Sequence, residues 1–141
     1  MSDVVPYGLR NNYPHMMPED RAIWERFIKA NPSAYDTCEY DVKVGSPPVF
    51  DTVVNQDTGG DAINLYKKKI DVVAYKNGRI DIIELKPRAD MRTLGQVRGY
   101  GNLYKREFNP PEGINLVVIT NELLTDMDHL SVEEGVKLII V

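Results

Sequence analysis

The chain has 141 residues and a mass of 16.0 kDa, with 43% hydrophobic and 27% charged residues, the constitution of one ordinary globular domain. Its single cysteine, Cys38, excludes an internal disulfide, and with only His15 and His129 beside it no zinc cluster of usual spacing can be assembled. The net charge of −4 speaks against uniform polyanion binding, yet eleven of the 17 bases and only four of the 21 acids fall between Lys67 and Arg106. A basic island in an acidic chain leaves nucleic-acid binding open, as it leaves open an ordinary solvated face.

Residues 1–17 carry Pro6, Pro14 and no hydrophobic period, so they read as an extended N-terminal arm ahead of a single domain over residues 18–141. Order in such an arm has to come from contacts outside its own sequence, and Val4, Val5, Tyr7, Tyr13 and Met16 are its candidate anchors. The expectation is docking on a partner protein or a second copy of the chain. Residues 1–11 show no apolar run behind a basic region, and runs such as 116–119 are too short to span a bilayer, so the expectation is a cytoplasmic protein with no membrane partner.

Pro18 suits the first position of a helix, Glu19 and Asp20 suit its positive end, and Asn31-Pro32 stops it. Its apolar stripe is Ile23, Trp24, Phe27 and Ile28. Tyr40, Val42 and Val44 alternate with Asp41 and Lys43 as on a strand, and residues 45–48 end that run. Residues 55–61 read as a turn or loop. Two strands, residues 70–75 and 80–85, flank Asn77-Gly78, the preferred two-residue hairpin turn. Pro87 and Asp90 then open a helix to about Phe108, with Leu94, Val97, Gly101, Tyr104 and Phe108 on its inner face, and Asn109-Pro110-Pro111 ends it. A buried strand over residues 116–119, a helix over 126–135 and a strand over 136–141 complete an α/β fold with a mixed central sheet flanked by helices.

The hairpin turn sets a register in which Lys76 pairs with Arg79 and Asp71 lies opposite Glu84. Directly opposed side chains sit about 5 Å apart, so two carboxylates share one small volume between strands otherwise rich in Ile and Val. A divalent cation compensates such a pair, and Mg²⁺ favours carboxylate oxygen. Lys86, two residues beyond Glu84, faces the same way and is placed to act on a water or a phosphoryl group. A plain salt bridge between Glu84 and Lys86 is the ordinary alternative.

Ile70-Asp71 followed by Glu84-Leu85-Lys86 resembles the PD-(D/E)XK nuclease signature of the restriction-endonuclease-like fold, with Ile70 where the name has proline. Gln96-Val97-Arg98-Gly99-Tyr100 on the next helix is similar to the Q-x-x-x-Y element of the RecB-like and lambda-exonuclease-like branches. The resemblance implies a DNA-hydrolysing enzyme in which Asp71, Glu84 and the Leu85 carbonyl bind Mg²⁺, or Mn²⁺ in its place. It further implies that Lys86 assists the attacking water and that Gln96 steadies the water or the phosphate. Many members add an acid from the first helix; Asp20 falls inside its apolar stripe, Glu19 flanks it and Glu25 lies beyond the other edge, so Asp20 or Glu19 is expected. Compensation of the helix dipole explains both acids equally well.

Arg92, Gln96 and Tyr100 are four apart and share a helix face, with Arg88 just before it. With Arg98 they are the candidate nucleic-acid contacts. Gly95, Gly99 and Gly101 in that helix point to close approach by sheet or nucleic acid. A second reading keeps the nuclease fold as a scaffold. Phage head-completion and neck proteins include such members, so a virion component is the alternative, with the arm as its assembly element.

Overall fold

Pro18 begins the first helix, α1 (Pro18–Ala30), where a missing amide proton costs nothing, and Glu19 and Asp20 follow in the first turn. The Asn31 carboxamide closes the far end by donating to the Phe27 carbonyl at 3.1 Å. In this computed structural model, which describes residues 3–46 and 68–141, Ile23, Trp24, Phe27 and Ile28 are buried as their spacing predicts. Trp24 stacks on Phe27 with 5.5 Å between ring centroids and donates its indole N–H to the Tyr40 hydroxyl at 2.9 Å, so the buried ring keeps no orphan donor. The loop expected over residues 55–61 lies outside the described residues.

The elements follow as β1 (Val5–Pro6), α1, β2 (Thr37–Val44), β3 (Lys68–Lys76), β4 (Arg79–Ala89), α2 (Met91–Phe108), β5 (Asn115–Leu123), α3 (Met127–Glu133) and β6 (Val136–Ile140). The strands form one mixed sheet whose spatial order is their chain order. β1 to β4 pair antiparallel, and β5 and β6 add parallel to β4. α2 and α3 are the crossovers that parallel addition requires. One core, containing Trp24, Tyr40, Val72 and Ile83, lies beneath α1; a second, containing Val44, Ile70, Val97 and Met127, lies beneath α2 and α3.

Asn77 and Gly78 turn the hairpin with φ of 50° and 82°, the left-handed pair that a two-residue turn between twisted strands demands. The register is as expected, from Lys76↔Arg79 to Val72↔Ile83. β2 departs from simple alternation. Cys38 and Tyr40 enter the first core, whereas Val42 and Val44 enter the second. Asp41 between them has a left-handed φ of 55°, which rotates the strand and transfers its buried side across the sheet.

Several boundaries differ from expectation. Pro87 does not open a helix: β4 runs on to Ala89, paired there with β5 alone, and a proline is tolerated where one edge needs no donor. Asp90 is the N-cap, with a reciprocal box to Thr93. β5 is longer than its apolar run because Thr120, Glu122 and Leu123 pair with Lys86, Arg88 and Ala89. Phe108 is exposed, in the last turn of α2, and meets the Tyr104 ring of its own helix with 4.6 Å between ring centroids. Of the three helix glycines, only Gly101 is held by close approach, since a Cβ there would lie 2.5 Å from Leu116 Cδ2. Gly95 and Gly99 face open space.

The arm lies on its own domain. Val5 pairs with Cys38 of β2, and the Tyr7 ring meets Trp24 and Tyr35 edge-on while its hydroxyl donates to the Asn31 carbonyl at 2.6 Å. Tyr13 is buried, and Arg21 reaches back to the carbonyls of Asn11 and Arg10. Of the anchors foreseen for a partner, Val5, Tyr7, Tyr13 and Met16 pack on the first core of the chain itself, whereas Val4 stays exposed.

Candidate active site

The hairpin ladder ends at Val72↔Ile83, one residue short of the two acids. Beyond it β3 and β4 no longer exchange backbone bonds; instead the Leu85 N–H donates to Asp71 Oδ2 at 2.8 Å. A side-chain carboxylate takes the place of a backbone acceptor, which fixes the Asp71 rotamer and opens the sheet at that point. A cavity of about 560 Å³ lies at the opening, lined by Glu19 and Asp20 from α1, Asp71, Glu84, Leu85, Lys86 and Pro87 from the strands, and Gln96 from α2. Met17 and Pro18 complete its wall.

The electrostatics of this cavity are unfavourable as they stand. Burial pushes the Asp71 carboxyl up to about 6, against the opposing pull of the Leu85 amide and of Lys86. Glu84 is 5% exposed, and burial first, then the Asp71 charge, hold its carboxyl well above the ordinary range. Its Oε1 is buried and has no hydrogen-bond partner, an arrangement that costs about 1–3 kcal/mol for a polar group and more for a charged one. Asp20 is also raised, by burial, with Lys86 opposing, and its charge in turn raises both Asp71 and Glu84. Among the described residues no group of three or more His, Cys, Asp or Glu side chains is placed to hold a metal ion. Two carboxylates and a backbone carbonyl with open positions suit Mg²⁺, which keeps several waters and shares substrate phosphate oxygens.

No protein-family model matches the chain, and no curated protein does. Its architecture does have solved counterparts. A repair endonuclease from Pyrococcus abyssi aligns over 90% of this chain and 49% of that one, with 20% identity and a TM-score of 0.52. An EndoMS–dsDNA complex aligns over 94% and 48%, with 17% identity and a TM-score of 0.50. A protein of unknown function aligns over 80% and 53%, with 13% identity and a TM-score of 0.52. The chain has the restriction-endonuclease-like fold. It spans about half the length of the structures it matches.

Within the restriction-endonuclease-like fold the two signature strands and the helix after them converge on the cavity. Asp71, Glu84, Leu85, Lys86 and Gln96 all line it, although they come from three elements. From α1 it receives Glu19 and Asp20, whereas Glu25 is engaged elsewhere, with the Tyr13 hydroxyl and Arg21, both at 3.4 Å. Tyr100 stands behind Gln96, whose Nε2 donates to the Tyr100 hydroxyl at 3.0 Å. Arg92 is exposed one turn before Gln96, and Arg88 is exposed beside Glu122 at 3.3 Å. Arg98 is not brought to the cavity; it projects from another side of α2 and pairs with Glu134. The walls formed by Met17 and Pro87 escaped sequence reasoning, since neither carries chemistry that a motif would mark.

Proposed function

We propose that this chain hydrolyses phosphodiester bonds in DNA with a divalent cation, Mg²⁺ or in its place Mn²⁺, held by Asp71, Glu84 and the Leu85 carbonyl, with Asp20 or Glu19 at the rim. The observation that carries the reading is the buried, partnerless Glu84 Oε1 beside the half-buried Asp71 carboxyl at the mouth of a cavity. Lys86 offsets this negative charge only in part, since both carboxyls stay raised, and a divalent cation would supply the rest together with Lewis-acid polarisation of a phosphoryl group. Support for DNA as substrate comes from the structural counterparts described as a repair endonuclease and an EndoMS–dsDNA complex.

The chain's own residues divide the remaining work. The Lys86 ammonium, on the cavity wall, orients the attacking water and stabilises negative charge that develops on the phosphate. Gln96 has its Nε2 engaged by Tyr100, so its Oε1 is the atom left to accept a hydrogen bond from that water and orient it. Tyr100 is a positioning residue for Gln96. Arg88 and Arg92 on the exposed approach bind backbone phosphates on either side. The virion-scaffold reading drew on an arm that reaches a neighbour, and with the arm engaged on its own domain no observation favours it.

The test is cleavage of labelled duplex and single-stranded DNA by the purified chain in Mg²⁺, in Mn²⁺ and in chelator, beside Lys86→Ala. Cation-dependent cleavage lost in the variant supports the proposal; cleavage unchanged by chelator, or equal in the variant, refutes it.

A further inference from the structure

Where β4, β5 and β6 begin, a second cleft of about 470 Å³ opens, sharing no residue with the cavity at Asp71 and Glu84. Three cations reach it from separate elements: Arg79 from the start of β4, Lys105 from the last turn of α2 and Lys137 from β6. The acid in its lining, Asp81, is already committed. Its carboxylate accepts from the Tyr35 hydroxyl at 2.6 Å and the Asn115 carboxamide at 3.1 Å, and pairs with Arg79 at 3.4 Å. Arg79 is steadied further by the Tyr35 ring, 5.6 Å from its guanidinium carbon.

Lys105 and Lys137 therefore face the cleft without an ion pair among the described residues. In a chain with 21 acids to 17 bases, two lysines converging where the carboxylate among the described lining residues is spent form a positive site that an anion relieves. The remaining lining is not that of a bare anion hole. Ile114, Leu116 and Val117 give it an apolar floor, and Asn102 adds a carboxamide. Asn115 donates its Nδ2 to Asp81, which leaves its Oδ1 as an acceptor. The volume lies within the range of about 300–1,000 Å³ usual for small-molecule sites.

We propose that this cleft binds a nucleoside phosphate, with Lys105 and Lys137 on the phosphate, the apolar floor under the base and the two carboxamides on its polar edge. A free nucleotide and a nucleotide within a strand offer the same chemistry. The experiment is calorimetric titration of the intact chain, with chelator present, using inorganic phosphate, dAMP and a short single-stranded oligonucleotide. It is repeated on the Lys105→Ala/Lys137→Ala double variant; both side chains are exposed, and an unchanged melting temperature verifies the fold. Wild type is expected to bind dAMP more tightly than phosphate and to lose at least about tenfold in affinity in the double variant, a change of about 1.4 kcal/mol. If the oligonucleotide shows that loss and dAMP does not bind, the proposal holds with a strand as the source. Undiminished binding of both by the double variant, no binding of either by wild type, or phosphate binding as tightly as dAMP overturns it. The Asp71→Ala protein should bind dAMP as wild type does, which separates failure of this site from failure of the nuclease reading.

Discussion

Removing the charge of Asp71 should stabilise the metal-free protein, and the size of the effect follows from its surroundings. The carboxyl is raised from 3.8 to about 6, chiefly by burial, and each unit corresponds to about 1.4 kcal/mol, so its ionisation in the folded state costs about 3 kcal/mol. Asp71→Asn removes that cost and keeps an oxygen to accept the Leu85 N–H, whose stronger bond to the charged form is already contained in the net shift. The gain is about 3 kcal/mol, or about 9 °C in a chain of this size. The sign depends on pH. Below 3.8 the carboxyl is protonated folded and unfolded alike, so the two proteins should then melt together. As pH rises through the window from 3.8 to about 6 the wild type alone loses stability, and above it the difference is complete. Thermal denaturation in chelator at about pH 3 and about pH 8 brackets the window, and adding Mg²⁺ at the higher pH should raise the wild-type melting temperature but not the variant's. A variant that melts at or below the wild type in chelator at pH 8 would show that the Asp71 charge stabilises the fold, and the argument for an uncompensated acid pair would fail.

Lys86→Ala should suppress DNA cleavage by about 100-fold or more while leaving Mg²⁺ affinity by calorimetry within a few-fold of wild type, as for a group that acts on water and phosphate; a large fall in Mg²⁺ affinity would instead make it part of the cation site. Gly95→Ala and Gly99→Ala, into open space, should each stabilise by about 0.5–1 kcal/mol. Gly101→Ala should destabilise by about 1 kcal/mol, because its Cβ must displace the Leu116 and Ile114 methyls at a cost of about 1–3 kcal/mol that helix propensity only partly offsets; chemical denaturation of the three variants checks the opposite signs. Tyr7→Ala, which loses two ring contacts and the bond to the Asn31 carbonyl, should cost about 2–3 kcal/mol of stability. Sedimentation should show its association state unchanged, whereas altered assembly at constant stability would return the arm to an intermolecular role.

Local chemistry made much of this molecule legible. Asn77-Gly78 permits few backbone paths, so the turn and the register followed from two residues, and with them the nearness of Asp71 to Glu84. Pro18 and Asn31 bracket α1 for equally local reasons. What escaped depends on partners distant in sequence. The polar end of β5 is a strand because Lys86 to Ala89 lie beside it, and nothing in Asn121 or Glu122 announces that. Tyr7 and Tyr13 looked like the anchors of a free arm because the surface that receives them, Trp24, Tyr35 and Tyr40, is assembled from other elements. The flip at Asp41 was hidden, since aspartate only occasionally adopts a left-handed φ and the apolar alternation around it continued unbroken. Arg79, Lys105 and Lys137 are spaced too widely for any motif to join them.

The identity between spatial and chain order in the sheet bears on how the molecule is made. Each described strand pairs with the strand before it in the chain, so the sheet can grow from one edge as the chain emerges from the ribosome. Cross-strand partners lie at similar sequence distances in both halves, from Val5↔Cys38 and Thr37↔Tyr75 to Asp81↔Asn115, whereas the β3–β4 hairpin that carries the acid pair closes between near neighbours. The parallel addition of β5 must wait for all of α2. Until it arrives, the outer edge of β4 lies bare, and that interval is when the nascent chain is most exposed to pairing with another copy of itself.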